Sequence, residues 1–167
     1  ERTSWDKFPG AESTFAADAL MPSGRVLQLP STHLLGQKFS KPFNVKFRDK
    51  DGQYKYVYIT CYGPAISRIF GAIIGLHGDD KGLVLPFNIA PFQIVIVPII
   101  VKGDKKVIQK CRELNNKLNN YRIKLDDRNY SPGYKFNEWE LKGVPIRIEV
   151  GPKDLEKKSV TIFRRDQ

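Results

Sequence analysis

Residues 131–154 gather carboxylates, cationic side chains and aromatic rings among turn-forming glycines and prolines. The stretch reads Ser131-Pro132-Gly133-Tyr134-Lys135-Phe136-Asn137-Glu138-Trp139-Glu140-Leu141-Lys142 and continues Gly143-Val144-Pro145-Ile146-Arg147-Ile148-Glu149-Val150-Gly151-Pro152-Lys153-Asp154. Such a set can read nucleobases. A carboxylate accepts hydrogen bonds from the N1–H and N2–H₂ edge of guanine, an arginine or lysine donates to O6 and N7, and a ring stacks on the base. Phe136 and Trp139 are candidate stacking rings, although burial in a core is the commoner use of such residues. Glu138 and Lys142 stand four apart and suit a surface ion pair. Gly151-Pro152 reads as a turn presenting Lys153 and Asp154.

The charge balance agrees with an anionic partner. The 167-residue chain carries a net charge of +10, unusual for a soluble protein whose hydrophobic content is 41%. Residues 1–89 hold 11 basic and 8 acidic residues, and residues 90–167 hold 17 and 10. The back part is therefore the better candidate for a phosphate backbone, with nucleic acid ahead of membrane. A solvated, lysine-rich surface is the plainer explanation of charge alone.

In the front part, Arg68 stands where a strand gives way to a helix. Free N–H groups and the helix dipole make such a place receptive to a polyphosphate, and Gly63 allows close backbone approach. Taken alone, an arginine there is more often structural or solvated, and a lone histidine such as His33 is more often a hydrogen-bonded surface residue. Asp79-Asp80 reads as a cap and turn rather than a metal site, and His77 as structural. Neither a serine–histidine–acid set nor a phosphate-binding loop stands out. Cys61 and Cys111 lack the spacing of a zinc site or a disulfide framework and fit a reducing cytoplasm. The longest apolar run, residues 92–101, is of strand length and too short to span a bilayer. No signal peptide is visible, and a start at Glu1 rather than Met suggests a chain cut from something longer.

Periodicity supplies the elements. Residues 14–21 and 26–29 read as strand, turn, strand, and residues 34–39 as a short helical turn. Residues 43–48 and 54–59 alternate around Asp49-Lys50-Asp51-Gly52, a hairpin signal. Residues 65–76 carry apolar side chains at helical spacing. From residue 90 the character changes. Gln93-Ile94-Val95-Ile96-Val97 reads as a strand covered on both faces. A helix follows, capped by Asp104 and running to about Asn120. Residues 122–126 form a strand, 137–141 a helix, 145–150 a strand and 160–163 another. The fold class is α/β with an α+β front part: antiparallel strands backed by a helix in residues 1–89, then an open α/β sheet in residues 90–167.

Three further segments carry a family resemblance. Thr60-Cys61-Tyr62-Gly63-Pro64-Ala65-Ile66-Ser67-Arg68 resembles the third signature motif of class II aminoacyl-tRNA synthetases. His77-Gly78-Asp79-Asp80-Lys81-Gly82-Leu83-Val84-Leu85-Pro86 resembles the domain junction of the prolyl-tRNA synthetase family, and residues 131–154 resemble its anticodon-binding domain. Gln28-Leu29-Pro30-Ser31-Thr32-His33-Leu34-Leu35-Gly36-Gln37-Lys38-Phe39 is similar to the loop that spans the amino acid and ATP pockets of that family. Gln28, His33, Leu35, Gly36 and Phe39 match its common form. Pro30 and Ser31 replace a glycine and a threonine, and Ala65 stands where glycine is frequent.

The resemblance implies a remnant of the class II antiparallel sheet (residues 1–89, catalytic) followed by an anticodon-binding domain (residues 90–167). It implies that Arg68 contacts the γ-phosphate of ATP, that Gln28, Ser31 and Gly63 lie near ATP, and that His33 lies near the prolyl group. It further implies that Glu140, Arg147, Lys153 and Asp154 read the anticodon. The complete enzyme would be a cytoplasmic proline–tRNA ligase, homodimeric, using ATP with Mg²⁺, proline and proline tRNA. The first and second class II motifs are not in this sequence, so the chain alone is expected to be inactive. The alternative is a non-catalytic tRNA-binding module or paralogue with a vestigial catalytic half.

Overall fold

The turn Pro22-Ser23-Gly24-Arg25 joins β1 (Ser13–Leu20) to β2 (Val26–Gly36), an antiparallel pair. This computed structural model describes residues 1–101 and 105–167. β2 takes the first half of the segment expected to be a helical turn, residues 34–36, because it has partners on both sides: His33 pairs with Thr14 of β1 and with Cys61 of β5 (Ile59–Gly63). A turn follows from residue 37, where the Lys41 N–H donates to the Gln37 carbonyl at 3.1 Å. Ladder bonds on both edges outweigh local turn propensity. The hairpin expected around Asp49-Lys50-Asp51-Gly52 is present but short, pairing β3 (Lys46–Arg48) with β4 (Tyr54–Tyr56). The expected strand 54–59 divides, since Ile59 pairs with Gly36 of β2. α1 (Ile66–His77) follows.

Pro30 sits inside β2 at a bulge. Ala16 pairs with Ser31 and Asp18 with Gln28, so Leu29 and Pro30 together oppose Ala17. A bulge leaves one residue unpaired, the place where a strand tolerates a missing N–H. Ala65, just before α1, adopts φ +51°. That left-handed conformation costs a residue with a Cβ about 1–2 kcal/mol and costs glycine little.

β6 (Ile94–Pro98) is buried at all five positions, the mark of a strand covered on both faces. β7 (Ile123–Leu125) and β8 (Ile146–Val150) flank it in parallel, and β9 (Thr161–Arg164) adds antiparallel to β8. The order is β7-β6-β8-β9. α2 (Lys105–Lys117) links β6 to β7 and seats Val107 and Cys111 on Ile94, Ile96, Ile148 and Val150. Asp104, the expected cap of this helix, lies outside the described residues. α3 (Pro132–Leu141) links β7 to β8 and seats Trp139 on Val95 and Val97. It begins five residues before the expected position 137, because Ser131 caps it, accepting from the Tyr134 N–H at 3.3 Å, with Pro132 in the first turn. A short α4 (Pro152–Glu156) occupies what reads in sequence as a turn.

The compact units are Glu1–Leu76 and His77–Gln167. Residues 77–89, expected with the front part, are tied to the back one. Arg165 donates to Asp79 at 2.8 Å, and the Leu83 N–H donates to the Leu141 carbonyl at 3.0 Å. This join depends on two glycines. A Cβ on Gly82 would meet the Leu141 Cα at 2.5 Å, and one on Gly143 would meet the Leu83 carbonyl oxygen at 2.6 Å; their φ values are +133° and +69°. Gly143→Ala therefore combines left-handed strain with a backbone clash. It should destabilise the back unit by roughly 2–4 kcal/mol. Gly133→Ala, in α3 with no atom within 4 Å of its new methyl, should be neutral or slightly stabilising. Urea unfolding followed by Trp139 emission checks both, and equal midpoints for the two variants would contradict the account.

Candidate nucleic-acid interface and nucleotide-binding residues

α3 is fixed by a buried polar network. The Asp126 carboxylate accepts from Trp139 Nε1 at 2.7 Å and from Arg128 Nε and Nη2, both at 2.8 Å. Lys135, itself buried, donates to the Asp126 carbonyl at 3.0 Å. Burial pushes the Asp126 carboxyl up, but the hydrogen bonds from Arg128 and Trp139 outweigh it and bring it down to about 2. Arg128 also reaches Glu138 at 2.6 Å, and Lys142 reaches Glu138 at 2.5 Å, the expected pair four residues apart. Trp139 is thus a core residue rather than an exposed stacking platform.

This anchoring turns Phe136 and, one helical turn later, Glu140 to the part of the sheet beside β8 and β9. Arg147 projects there from β8. Its guanidinium carbon lies 4.3 Å from the ring centroids of both Phe136 and Phe163. Its Nε donates to Glu149 Oε1 at 2.8 Å. Alternation along β8 puts Arg147 and Glu149 on one face, and register places Phe163 directly across from Arg147. Glu140 is mostly covered and lies 3.6 Å from Lys81 Nζ. Glu149 and Phe163 belong to this cluster and were not among the expected site residues. The two-residue spacing from Arg147 was a legible sign of the first, whereas the second depends on strand register.

Lys153 and Asp154 lie elsewhere, just beyond the C-terminal end of β8. The chain leaves β6 for β7 on one side and returns to β8 on the other, so the carboxyl ends of β6 and β8 form a topological switch point, where open α/β sheets bind ligands. Lys153 is exposed. Asp154 is occupied: its Oδ2 accepts the Gly151 N–H at 2.8 Å and its Oδ1 accepts from Thr161 Oγ1 at 3.3 Å. A cleft of about 700 Å³ opens beside it, floored by Leu114, Val150 and Leu155 and rimmed by Lys110, Lys117 and Lys158.

In the front unit, Ser31, His33 and Gly63 come together. Ser31 pairs with Gly63 across β2 and β5. Ser31 Oγ lies 3.1 Å from His33 Nε2, and Thr14 Oγ1 lies 3.0 Å from His33 Nδ1. The Phe8 N–H donates to Thr14 Oγ1 at 3.1 Å, and the Phe8 ring packs 4.9 Å from the imidazole. Both imidazole nitrogens are thus engaged by hydroxyls. Gln28 pairs with Asp18 farther along β2. Arg68 is exposed in the first turn of α1, and no hydrogen bond or ion pair joins it to Gln28, Ser31 or His33 among the described residues. The Asp79 carboxylate, expected as a cap and turn, accepts the Lys81 N–H at 2.9 Å and also receives the Arg165 guanidinium, which holds it well below the usual carboxylate range. Cys61 and Cys111 are free thiols, and burial pushes the Cys111 thiol up to about 11. No helix among the described residues is long and apolar enough to cross a membrane.

Residues 93–167 match the family model described as an anticodon binding domain, so the sheet from β6 to β9 with its helices is a domain of that class. Across both units, the chain is 61% identical over 170 residues to the proline–tRNA ligase of Thermofilum pendens, a match covering 99% of this chain and 35% of that protein. It is 52% identical over 168 residues to the proline–tRNA ligase of Methanocaldococcus jannaschii, covering 99% and 37%, and 49% identical over 169 residues to that of Methanopyrus kandleri, covering 99% and 35%. The chain is thus similar over nearly its whole length to proline–tRNA ligases, and it spans about a third of the length of the curated relatives it matches.

Proposed function

We propose that the complete protein attaches proline to proline tRNA at the expense of ATP, and that the back unit reads the anticodon. The observation that carries the reading is the Arg147 cluster within the matched domain. A guanidinium held by two rings and a carboxylate, with the Glu140 carboxylate on the neighbouring turn of α3, offers both the donors and the acceptors that a guanine edge requires. Lys153 and Asp154 add a cation and a carboxylate at the switch point. The excess of positive charge in residues 90–167 supplies the backbone term, which weakens as salt rises.

In the front unit, Arg68 would hold the γ-phosphate of ATP, Gln28, Ser31 and Gly63 would line the nucleotide, and His33 would face the prolyl group. The complete enzyme would use ATP together with Mg²⁺; among the described residues of this chain no group of three metal-ligating side chains is present. A homodimeric, cytoplasmic enzyme completes the proposal, and the two free thiols suit that compartment.

Glu140 provides the test, because a carboxylate cannot attract a phosphate. Glu140→Ala should cost roughly 1–3 kcal/mol for proline tRNA and little for an anticodon-swapped tRNA. Lys157→Ala with Lys158→Ala should weaken both tRNAs alike and reduce the salt dependence. Binding measured at two salt concentrations separates the two effects. An unchanged preference in Glu140→Ala would remove that residue from the reading set.

A further inference from the structure

Arg147 is 8% exposed, yet its Nη1 and Nη2 have no hydrogen-bond partner among the described residues. No buried side-chain nitrogen or oxygen there is left without a partner. Both Nη atoms therefore reach the surface, while the rest of the guanidinium is enclosed by Phe136, Phe163 and Glu149. Arginine is a long, rotamer-rich side chain, and fixing one such chain costs binding free energy that a preformed site avoids. Among the described residues one hydrogen bond sets the rotation of this guanidinium about its own axis: the Nε–H bond to Glu149 Oε1 at 2.8 Å. The rings hold the plane, and the carboxylate decides which edge faces outward.

We propose that Glu149 is a positioning residue for base reading. It anchors the Nε edge of Arg147, so that the Nη pair meets a base edge rich in acceptors, as guanine offers with O6 and N7. Its negative charge beside the fork disfavours a phosphate in the same place, which directs Arg147 toward a base rather than the backbone. This inference rests on the anticodon reading proposed above, and it assigns specificity to a residue that the sequence resemblance did not single out.

The test uses the 167-residue chain with wild-type, Glu149→Ala, Glu149→Gln and Arg147→Ala forms. The ligands are a proline tRNA transcript and transcripts in which each anticodon guanine is replaced in turn by adenine. The readout is the ratio of affinities, which a loss of folded protein leaves unchanged because it scales all ligands alike. Glu149→Ala should cut the guanine preference roughly tenfold or more at one anticodon position. Glu149→Gln keeps an acceptor for Nε–H and should retain the preference within about threefold. A full preference in Glu149→Ala overturns the positioning role, and so does a Glu149→Gln ratio as low as that of Glu149→Ala. If wild-type protein shows no guanine preference, or Arg147→Ala keeps it, the anticodon reading itself fails and this inference with it.

Discussion

Amide protons of Glu1–Leu76 should exchange with solvent far faster than those of β6 and β8. The expected gap in opening free energy is at least about 2 kcal/mol, roughly thirtyfold in rate. The reason is where the apolar surface lies. Among hydrophobic residues of the front unit, only Ala11, Leu35 and Ala72 are buried, and two of these are alanines. Large side chains face solvent instead: Trp5 is 85% exposed, Tyr58 78%, Phe43 75% and Ile66 74%. α1 shows the same imbalance, with Ile66, Phe70 and Ile74 forming an exposed apolar stripe at four-residue spacing. Among the described residues the hydrophobic core clusters lie in the back unit, where Val95, Ile96, Val97, Val107 and Cys111 are fully covered. Burial of that kind contributes about 25 cal/mol per Å² of apolar surface, and the front unit gains little of it by itself. Hydrogen exchange followed by mass spectrometry measures the contrast directly. Equal protection in β2 and β6 would contradict it.

The purified 167-residue chain should show no proline-dependent ATP–pyrophosphate exchange above background. Attack of a carboxylate on the α-phosphate needs preorganised positive charge where charge develops, and losing one such group typically costs a factor of about 10²–10³. Arg68 is exposed, and no hydrogen bond or ion pair joins it to the Ser31–His33–Thr14 chain. That chain consists of neutral hydroxyls around an imidazole, which stabilises little anionic charge. Ala65 adds strain immediately before the helix that carries Arg68. The assay is exchange of labelled pyrophosphate into ATP with and without proline, and proline-dependent exchange by this chain would overturn the expectation. Tight tRNA binding with no exchange would leave the two units' proposed roles intact.

Much of the architecture was legible because it is local. The apolar run from Ile94 to Val97 announced a strand covered on both faces, and the alternation after residue 90 announced an open α/β sheet. Ser131-Pro132 carried a helix start that hydrophobic periodicity alone places later, since the first turn of α3, Pro132-Gly133-Tyr134-Lys135, has no aliphatic side chain at a core-facing position. Residues 34–36 were not legible in this way, because β2 is extended there by partners on two other strands, and the expected turn begins only at residue 37.

The candidate site divides along the same line. Residue types and order by themselves determined that positive charge gathers in the back part and that residues 131–154 mix carboxylates, cations and rings. It was the family resemblance that singled out Glu140, Arg147, Lys153 and Asp154 as candidates for addressing a base. Tertiary structure decided what surrounds them. Trp139 went to the core because Asp126, thirteen positions earlier, accepts its indole N–H. Asp154 was drawn into bonds with Gly151 and Thr161. Arg147 acquired Phe163 through the register of β8 and β9, and Phe136 through the packing of α3. Periodicity along one strand or helix records which residues share a face. Which faces meet depends on contacts between distant segments, and those contacts are fixed by burying the core as a whole.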